Sequence, residues 1–377
     1  MMDPTNGNDL AQHYTASMNP ERIADAFRLL DEAVARGDTP GAVAAIGRGG
    51  AIQTMHACGS AHMAASGGEA VLPIRSDTIF DCASLTKVVA LLPLILLLIE
   101  RGRLRLGDPV KQYIPAFDSE GKGAVTVKQL LTHTSGLIAH TNLYSHGWSP
   151  EEIKAHIFAM PLDYEPGTKV VYSDLGYITL GEIVQTLLEE RLDTAARRYV
   201  FEPLGMNDTF YVPAADRLPR IAATEYSQEL GRHKWGEVHD ENAGALEGIS
   251  GHAGLFSTAA DLAKYAAMWL AKGRIGDKGR LLSRASVEAA TRTQTGNLPA
   301  NRGLGWVLKG DSMDASGDLM SPATFGHTGF TGTSLTIDPA EGTFAILLTN
   351  RVYYGRERSV VRLRHLFHNA IAAACSE

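Results

Sequence analysis

The 377-residue chain is predicted to fold as an α/β protein of the α+β type: one antiparallel sheet built from N- and C-terminal strands, flanked by helices, with an inserted, mostly helical lobe. Three observations predict it. Short β-prone runs around glycine turns occupy residues 40–59, and comparable runs return over 304–351. Between them, from Ser84 to about residue 225, apolar residues recur at helical spacing. The corresponding boundaries are a mobile tail over 1–20, a sheet domain over 21–83 and 240–377, and a helical lobe over 84–239.

In chain order, "PERIADAFRLLDEAVARGD" carries a helical apolar stripe that stops at Gly37. "PGAVAAIGRGGAIQTMHACG" reads as a β-hairpin turning at Arg48-Gly49-Gly50. The apolar run Val88–Ile99 is 12 residues long and contains Pro93, short of the roughly 20 residues a membrane span needs, so it reads as a buried core helix. The segments "VTVKQLLTH", "PEEIKAHIFAM", "GYITLGEIVQTLLEE" and "DTAARRYVFEPLG" continue the lobe, and "STAADLAKYAAMWLAKG" adds a helix after it. Strands follow in "LGWVLKG", "ATFGHTG", "GTSLTIDP" and "TFAILLTNR", the last two joined by a turn at Pro339-Ala340-Glu341-Gly342, before a final helix near 358–373. A cleft between lobe and sheet is the expected site.

Composition narrows the function. A formal charge of −7 with scattered lysines and arginines offers no footprint for nucleic acid or anionic lipid. "MMDPTNGNDLAQHYTASMNPER" lacks the basic and apolar regions of a secretory signal, which points to a cytoplasmic protein. Cys58, Cys82 and Cys375 are odd in number and far apart, fitting a reducing compartment without a disulfide framework or a CxxC metal pair.

The chemistry concentrates in a few short motifs. Ser84-Leu85-Thr86-Lys87 opens the apolar run, and a helix there would bring serine and lysine onto one face. A helix N-terminus favours developing negative charge, an apolar wall would lower the Lys87 pKa so that it can take a proton, and the Ser84 N–H can form half of an oxyanion hole. The same pattern also suits an N-cap serine with a first-turn surface lysine. Ser119-Glu120-Gly121-Lys122 repeats the spacing among glycines and charges, where a loop is expected. Tyr172-Ser173-Asp174 precedes an apolar helix, so Tyr172 is either a general base or a tyrosine packed at a lobe edge. His327-Thr328-Gly329 followed by Phe330 offers either a second oxyanion N–H or a plain glycine bulge.

Taken in order, these motifs resemble the serine β-lactamase, penicillin-binding protein and related esterase superfamily, in its class C-like branch with the family VIII-type esterases. The resemblance spans residues 22–372 and includes "LRLGDPVKQYIPAF", "VTVKQLLTHTSGL", "FEPLGMNDTFY", "GHAGLFSTAADLAKYAAMW" and "GHTGFTGTSL". It implies a β-lactamase/transpeptidase-like fold with Ser84 as acylated nucleophile, Lys87 and Tyr172 sharing the proton work, and Ser84 and Phe330 N–H groups as oxyanion hole. Asp174, His327, Thr328 and Gly329 would contact substrate, and no metal or cofactor is implied. His252, in "GISGHAGLFST", either lines the cleft or stabilises its loop. "HTSGL" at 133–137 matches a framework segment and reads as a helix end stopped by Gly136.

Two departures from the family pattern carry chemistry. Asp174 stands where many members have asparagine, and a carboxylate only accepts hydrogen bonds. It would pair with Lys87, raise that lysine's pKa against burial and shift base duty to Tyr172. His327 stands where lysine is common and, neutral near pH 7, is a weaker partner for a substrate carboxylate. The expectation is hydrolysis of small ester or amide substrates with weak β-lactamase activity. A D-Ala-type peptidase, an acyltransferase and a non-catalytic ligand sensor are the alternatives. "GRHKWGEVHDEN" gathers acids and histidines but fits no H-E-x-x-H pair and reads as a solvated loop; the chain has no G-x-S-x-G elbow.

Overall fold

Small residues on alternate positions of the first hairpin let helices close on both faces of a sheet. In the computed structural model, which describes residues 18–63 and 71–375, β1 (Gly41–Arg48) and β2 (Ala51–His62) turn through Gly49 and Gly50 at φ 62° and 84°. The remaining strands are β3 (Leu72–Pro73), β4 (Phe80–Asp81), β5 (Phe210–Tyr211), β6 (Tyr226–Ser227), β7 (Arg232–His233) and β8 (Leu255–Ser257). They are followed by β9 (Val307–Leu308), β10 (Phe325–Thr328), β11 (Ser334–Asp338) and β12 (Thr343–Thr349). Seven of them form one sheet in the order β3-β2-β1-β12-β11-β10-β9, antiparallel at each pairing. The two ends of the sequence meet where β1 pairs with β12, Val43 opposite Leu348.

Ala42, Ala44 and Ile46 on β1, with Ala345 and Leu347 on β12, pack against the first and last helices, Pro20–Ala35 and Val361–Cys375. Val43, Ala45, Phe344, Ile346 and Leu348 face the opposite way, into a core shared with helix Ala259–Leu270 and the helical region. Residues 1–17 of the expected tail lie outside the described residues. Met18 and Asn19 are not tail: Met18 is buried, the Asn19 side chain caps the first helix, and the Asn19 N–H donates to the Ala374 carbonyl at 2.9 Å.

The apolar run is a core element, but not the regular helix expected from Ser84 onward. Ala83–Leu85 is a 3-10 turn, Lys87–Leu91 a π turn, and only Leu92–Glu100 is α-helical. Pro93 supplies the reason: it lacks an N–H and crowds the preceding turn, and the widened turn lets the Leu92 N–H reach back to the Lys87 carbonyl. The same device recurs at Arg197–Phe201, where the Glu202 N–H reaches the Arg197 carbonyl just before Pro203. The Tyr265 hydroxyl donates to the Val88 carbonyl within the first of these turns. By length and composition, Ala83–Glu100 is the one helix among the described residues apolar enough to cross a membrane, yet 78% of that window is buried inside the protein.

Two features differ from what the sequence pattern predicts. β4, β8 and β5 form a small second sheet, too short to show any periodicity, that carries the chain into Ser84. The stretch 231–242 is not a solvated loop: His239 is buried, and the Asp240 side chain caps helix Glu241–Ala245.

Candidate active site

Ser84 is presented by a strained turn. Ala83, just before it, has φ 45°, in the left-handed region that costs a non-glycine residue about 1–2 kcal/mol. The buried Asp81 carboxylate holds that turn, accepting the N–H groups of Ala83 at 2.8 Å and His239 at 2.6 Å. Ser84 thereby reaches the surface of a cavity while Ala83 and Leu85 stay buried. A 3-10 turn stacks positions i and i+3. It aims Lys87 at the serine, with Lys87 Nζ 2.9 Å from Ser84 Oγ.

Lys87 is fully buried and has two further acceptors, Asp174 Oδ1 at 2.7 Å and the His252 carbonyl at 3.0 Å. Three acceptors match the three N–H groups of an ammonium. Burial pushes the Lys87 pKa down, but Asp174 and Tyr172 outweigh it, and the net shift is upward. This corrects the expectation of a lysine depressed by its apolar wall and agrees with the pairing inferred from Asp174. Asp174 opens helix Asp174–Leu188, which Ser173 caps. Burial opposes ionisation of Asp174, yet Lys87, and His140 with Nδ1 3.8 Å from Oδ2, hold it well below the usual carboxylate range.

Tyr172 lies between cations and a histidine. Its ring centroid is 4.8 Å from Lys87 Nζ and 6.0 Å from the guanidinium carbon of Arg302. The His133 ring packs on it at 4.5 Å between centroids, and His133 Nδ1 accepts the Ser173 N–H at 3.0 Å. Burial, with Arg302 and Lys87 nearby, keeps His133 well below its ordinary pKa, so it stays neutral and able to accept. The "HTSGL" segment is more than a helix end, since His133 lies directly behind Tyr172 and Ser173.

The facing wall is the turn between β10 and β11. A Cβ on Gly329 would lie 2.4 Å from the Cys82 carbonyl oxygen, so only glycine lets this strand approach the Ser84 turn. Thr331 Oγ1 donates to the Asp81 carbonyl at 2.7 Å and Thr333 Oγ1 to the Cys82 carbonyl at 3.1 Å. Arg364 fastens the other side, donating to the carbonyls of Gly329 at 3.1 Å and Thr333 at 2.8 Å. Ser84, Tyr172, Asp174, Thr328, Gly329 and Phe330 thus share one cavity of about 580 Å³.

Two histidines do not contact this cavity as expected. His327 occupies an inward position of β10, with its ring buried behind the wall. Burial, then Lys87 and Arg302, push its pKa down to about 3, and Nε2 has no hydrogen-bond partner among the described residues. The alternation of the strand gives the cavity Thr328 and Phe330 instead. The His252 ring is buried as well, bonded through Nδ1 to Ser250 Oγ at 2.7 Å and through Nε2 to Asp240 Oδ1 at 2.9 Å. Its contribution to the site is the carbonyl that receives Lys87. Gly251 beside it fits because a Cβ there would lie 2.2 Å from the Tyr177 carbonyl oxygen.

Comparison with known proteins shows the family and the fold. The family model described as Beta-lactamase matches residues 26–369. The chain belongs to the Beta-lactamase family. A protein of Escherichia coli (strain K12) named "Putative D-alanyl-D-alanine carboxypeptidase" is 34% identical over 314 residues, covering 74% of this chain and 71% of that protein. A penicillin-binding protein homologue from Caulobacter crescentus shares the fold with a TM-score of 0.75 and 24% identity, over 95% of this chain and 99% of that one. EstCE1, described as a hydrolase with promiscuous acyltransferase activity, superposes with a TM-score of 0.74 and 21% identity, over 93% and 99% of the two chains.

Within this β-lactamase-family site, two further observations bear on chemistry. The cavity lining includes four arginines, Arg351, Arg356, Arg358 and Arg364, together with the acidic Asp240, Glu241 and Glu357. Arg356 bridges Glu225, at 2.8 Å, and Glu241, whereas no ion pair engages Arg351, Arg358 or Arg364 among the described residues. The second S-x-x-K motif forms the same contact, Lys122 Nζ to Ser119 Oγ at 3.0 Å. There the lysine donates to the Met160 carbonyl and the serine to the Phe158 carbonyl at 2.9 Å, which ties down a loop. Neither Ser119 nor Lys122 lines the cavity or meets a carboxylate, so Asp174, Tyr172 and the cavity distinguish the Ser84 pair.

Proposed function

We propose that the protein hydrolyses small ester or amide substrates through an acyl-enzyme on Ser84. The observation that carries this is the buried ammonium of Lys87, shared between Ser84 Oγ and Asp174 at the wall of the cavity. A charged lysine has no room for another proton, so the general base that takes the proton leaving Ser84 is Tyr172, whose ring lies 4.8 Å from Lys87 Nζ and 6.0 Å from the Arg302 guanidinium carbon. Ser84 Oγ bonds to the acyl carbon, and the N–H groups of Ser84 and Phe330 stabilise the oxygen that turns negative. Tyr172 then returns the proton to the leaving alcohol or amine, and water discharges the acyl group by the same route in reverse.

Asp174 offers no donor to an amide carbonyl, and His327 is neutral and buried, so penicillin turnover is expected to be weak. A second reading, a carboxypeptidase acting on D-alanyl ends, draws support from Arg358, which lines the cavity without an ion pair among the described residues, and from the names of the relatives. The test is steady-state kinetics on a short-chain aryl ester, a penicillin and an acyl-D-alanyl-D-alanine peptide, with Ser84→Ala as control. Fast ester turnover with slow penicillin turnover supports the first reading. Release of D-alanine faster than ester hydrolysis overturns it in favour of the second. The proposal includes a small-molecule acyl substrate, no nucleic-acid or membrane partner and a cytoplasmic location, supported by three free cysteines.

A further inference from the structure

On the sheet face away from the cavity, β2 and the first helix bring three different donor types together. His56 and Cys58 are two residues apart on β2 and therefore project to the same face. That face packs against helix Pro20–Ala35, whose Asp31 places Oδ1 2.8 Å from His56 Nε2. Phe27, one turn earlier on the same helix, stacks on the His56 ring at 4.9 Å between centroids and fixes its plane. One donor atom from each of Asp31, His56 and Cys58 lies within 4.8 Å of the others.

We propose that Asp31, His56 and Cys58 form a binding site for a zinc-class divalent metal ion, independent of the Ser84 chemistry. A tetrahedral ion with bonds of about 2.0–2.3 Å holds its donors about 3.3–3.8 Å apart, which small side-chain rotations reach from the spacing seen. Thiolate, imidazole and carboxylate together suit zinc or cobalt rather than magnesium or calcium, which take oxygen ligands. The thiolate and carboxylate charges cancel the charge of the ion. Binding displaces the Cys58 thiol proton to solvent; the His56 Nε2 proton, which Asp31 Oδ1 accepts in the metal-free protein, passes through solvent to Nδ1, so that the neutral ring offers its Nε2 lone pair to the ion. Asp31 and His56 side chains remain 53% and 28% exposed, which leaves an entry path and a fourth position for water. Two ligands on a rigid strand and one on a helix mean that little ordering is needed.

The test is titration of the full-length protein with cobalt(II), followed by zinc competition. One equivalent should produce a thiolate-to-cobalt charge-transfer band, zinc should abolish it, and zinc should raise the melting temperature by about 3 °C. Cys58→Ser should remove the band, His56→Ala should weaken binding about 100-fold, and Asp31→Asn, on an exposed helix face that tolerates change, about tenfold. Aryl-ester hydrolysis should be unchanged in all three variants. Absence of the band, or a band that persists in Cys58→Ser, overturns the proposal. If Cys58→Ser does not fold, an unaltered affinity in Asp31→Asn overturns it equally.

Discussion

Replacing Asp174 with asparagine removes the carboxylate that meets Lys87 at 2.7 Å. At an effective dielectric of about 20, that contact is an attraction of about 6 kcal/mol. Asparagine still offers one acceptor, and Lys87 can shed its proton, so the net loss of stability at pH 7 should be about 3 kcal/mol, the lower end for breaking a buried pair. The sign with pH follows from the two shifts. Asp174 has a depressed pKa in the fold, so its contribution is full above the unfolded value of about 3.9 and is lost as pH falls below it. Lys87 has a raised pKa, so its contribution is full below the unfolded value of about 10.4 and is lost as pH rises through the folded one. In the variant, burial dominates and Lys87 drops below its ordinary pKa, so the variant gains stability as pH rises towards about 10.4. Urea midpoints of both proteins from pH 5 to 10 should therefore show a gap that is widest at neutral to mildly acidic pH and closes on the alkaline side. A gap below about 1 kcal/mol at pH 7, or one that does not change with pH, would refute the buried ammonium.

Other substitutions separate the roles of neighbouring residues. Tyr172→Phe should lower kcat on an aryl ester by about 10²–10⁴ while leaving KM and the melting temperature nearly unchanged. Gly329→Ala places a methyl group 2.4 Å from the Cys82 carbonyl oxygen, so the Phe330 N–H should be pushed off the oxyanion position. The expected loss in kcat is about 10²–10³, read from single-turnover acylation. His133→Ala leaves the Ser173 N–H without its acceptor and should reduce stability by about 1–3 kcal/mol in urea unfolding. It should also lower kcat more than it raises KM, because His133 holds Tyr172 without touching substrate.

Long periodic elements were legible in the sequence. The stripe of the first helix, the Gly49-Gly50 hairpin and the β11–β12 pair are each set by local pattern, and the sheet that joins both chain ends follows from them. The 3-10 and π turns around Lys87 were not legible, because the apolar run gives one hydrophobic signal whatever the turn width; Pro93 was visible, but its effect depends on the whole ladder. At the site, Asp174 opposite Lys87 was readable only because the family resemblance brings the two positions together; residue type then gives a carboxylate paired with a buried lysine. His327 was misplaced, because the side on which its ring lies depends on strand alternation, whereas His252 takes the second of its two readings, a loop-stabilising ring held by Ser250 and Asp240. His133 was overlooked for the related reason that its partner, the Ser173 N–H, is a backbone group with no mark in the sequence.

The central claim is that Ser84, and not merely a serine three residues before a lysine, is the nucleophile. Ser119 makes the same contact with Lys122 and is the internal control. Intact-mass analysis after exposure to a fluorophosphonate, followed by peptide mapping, tests this most directly. A single adduct on Ser84, absent in Ser84→Ala and never on Ser119, is the predicted result. An unlabelled protein, or an adduct that survives in Ser84→Ala, would contradict it.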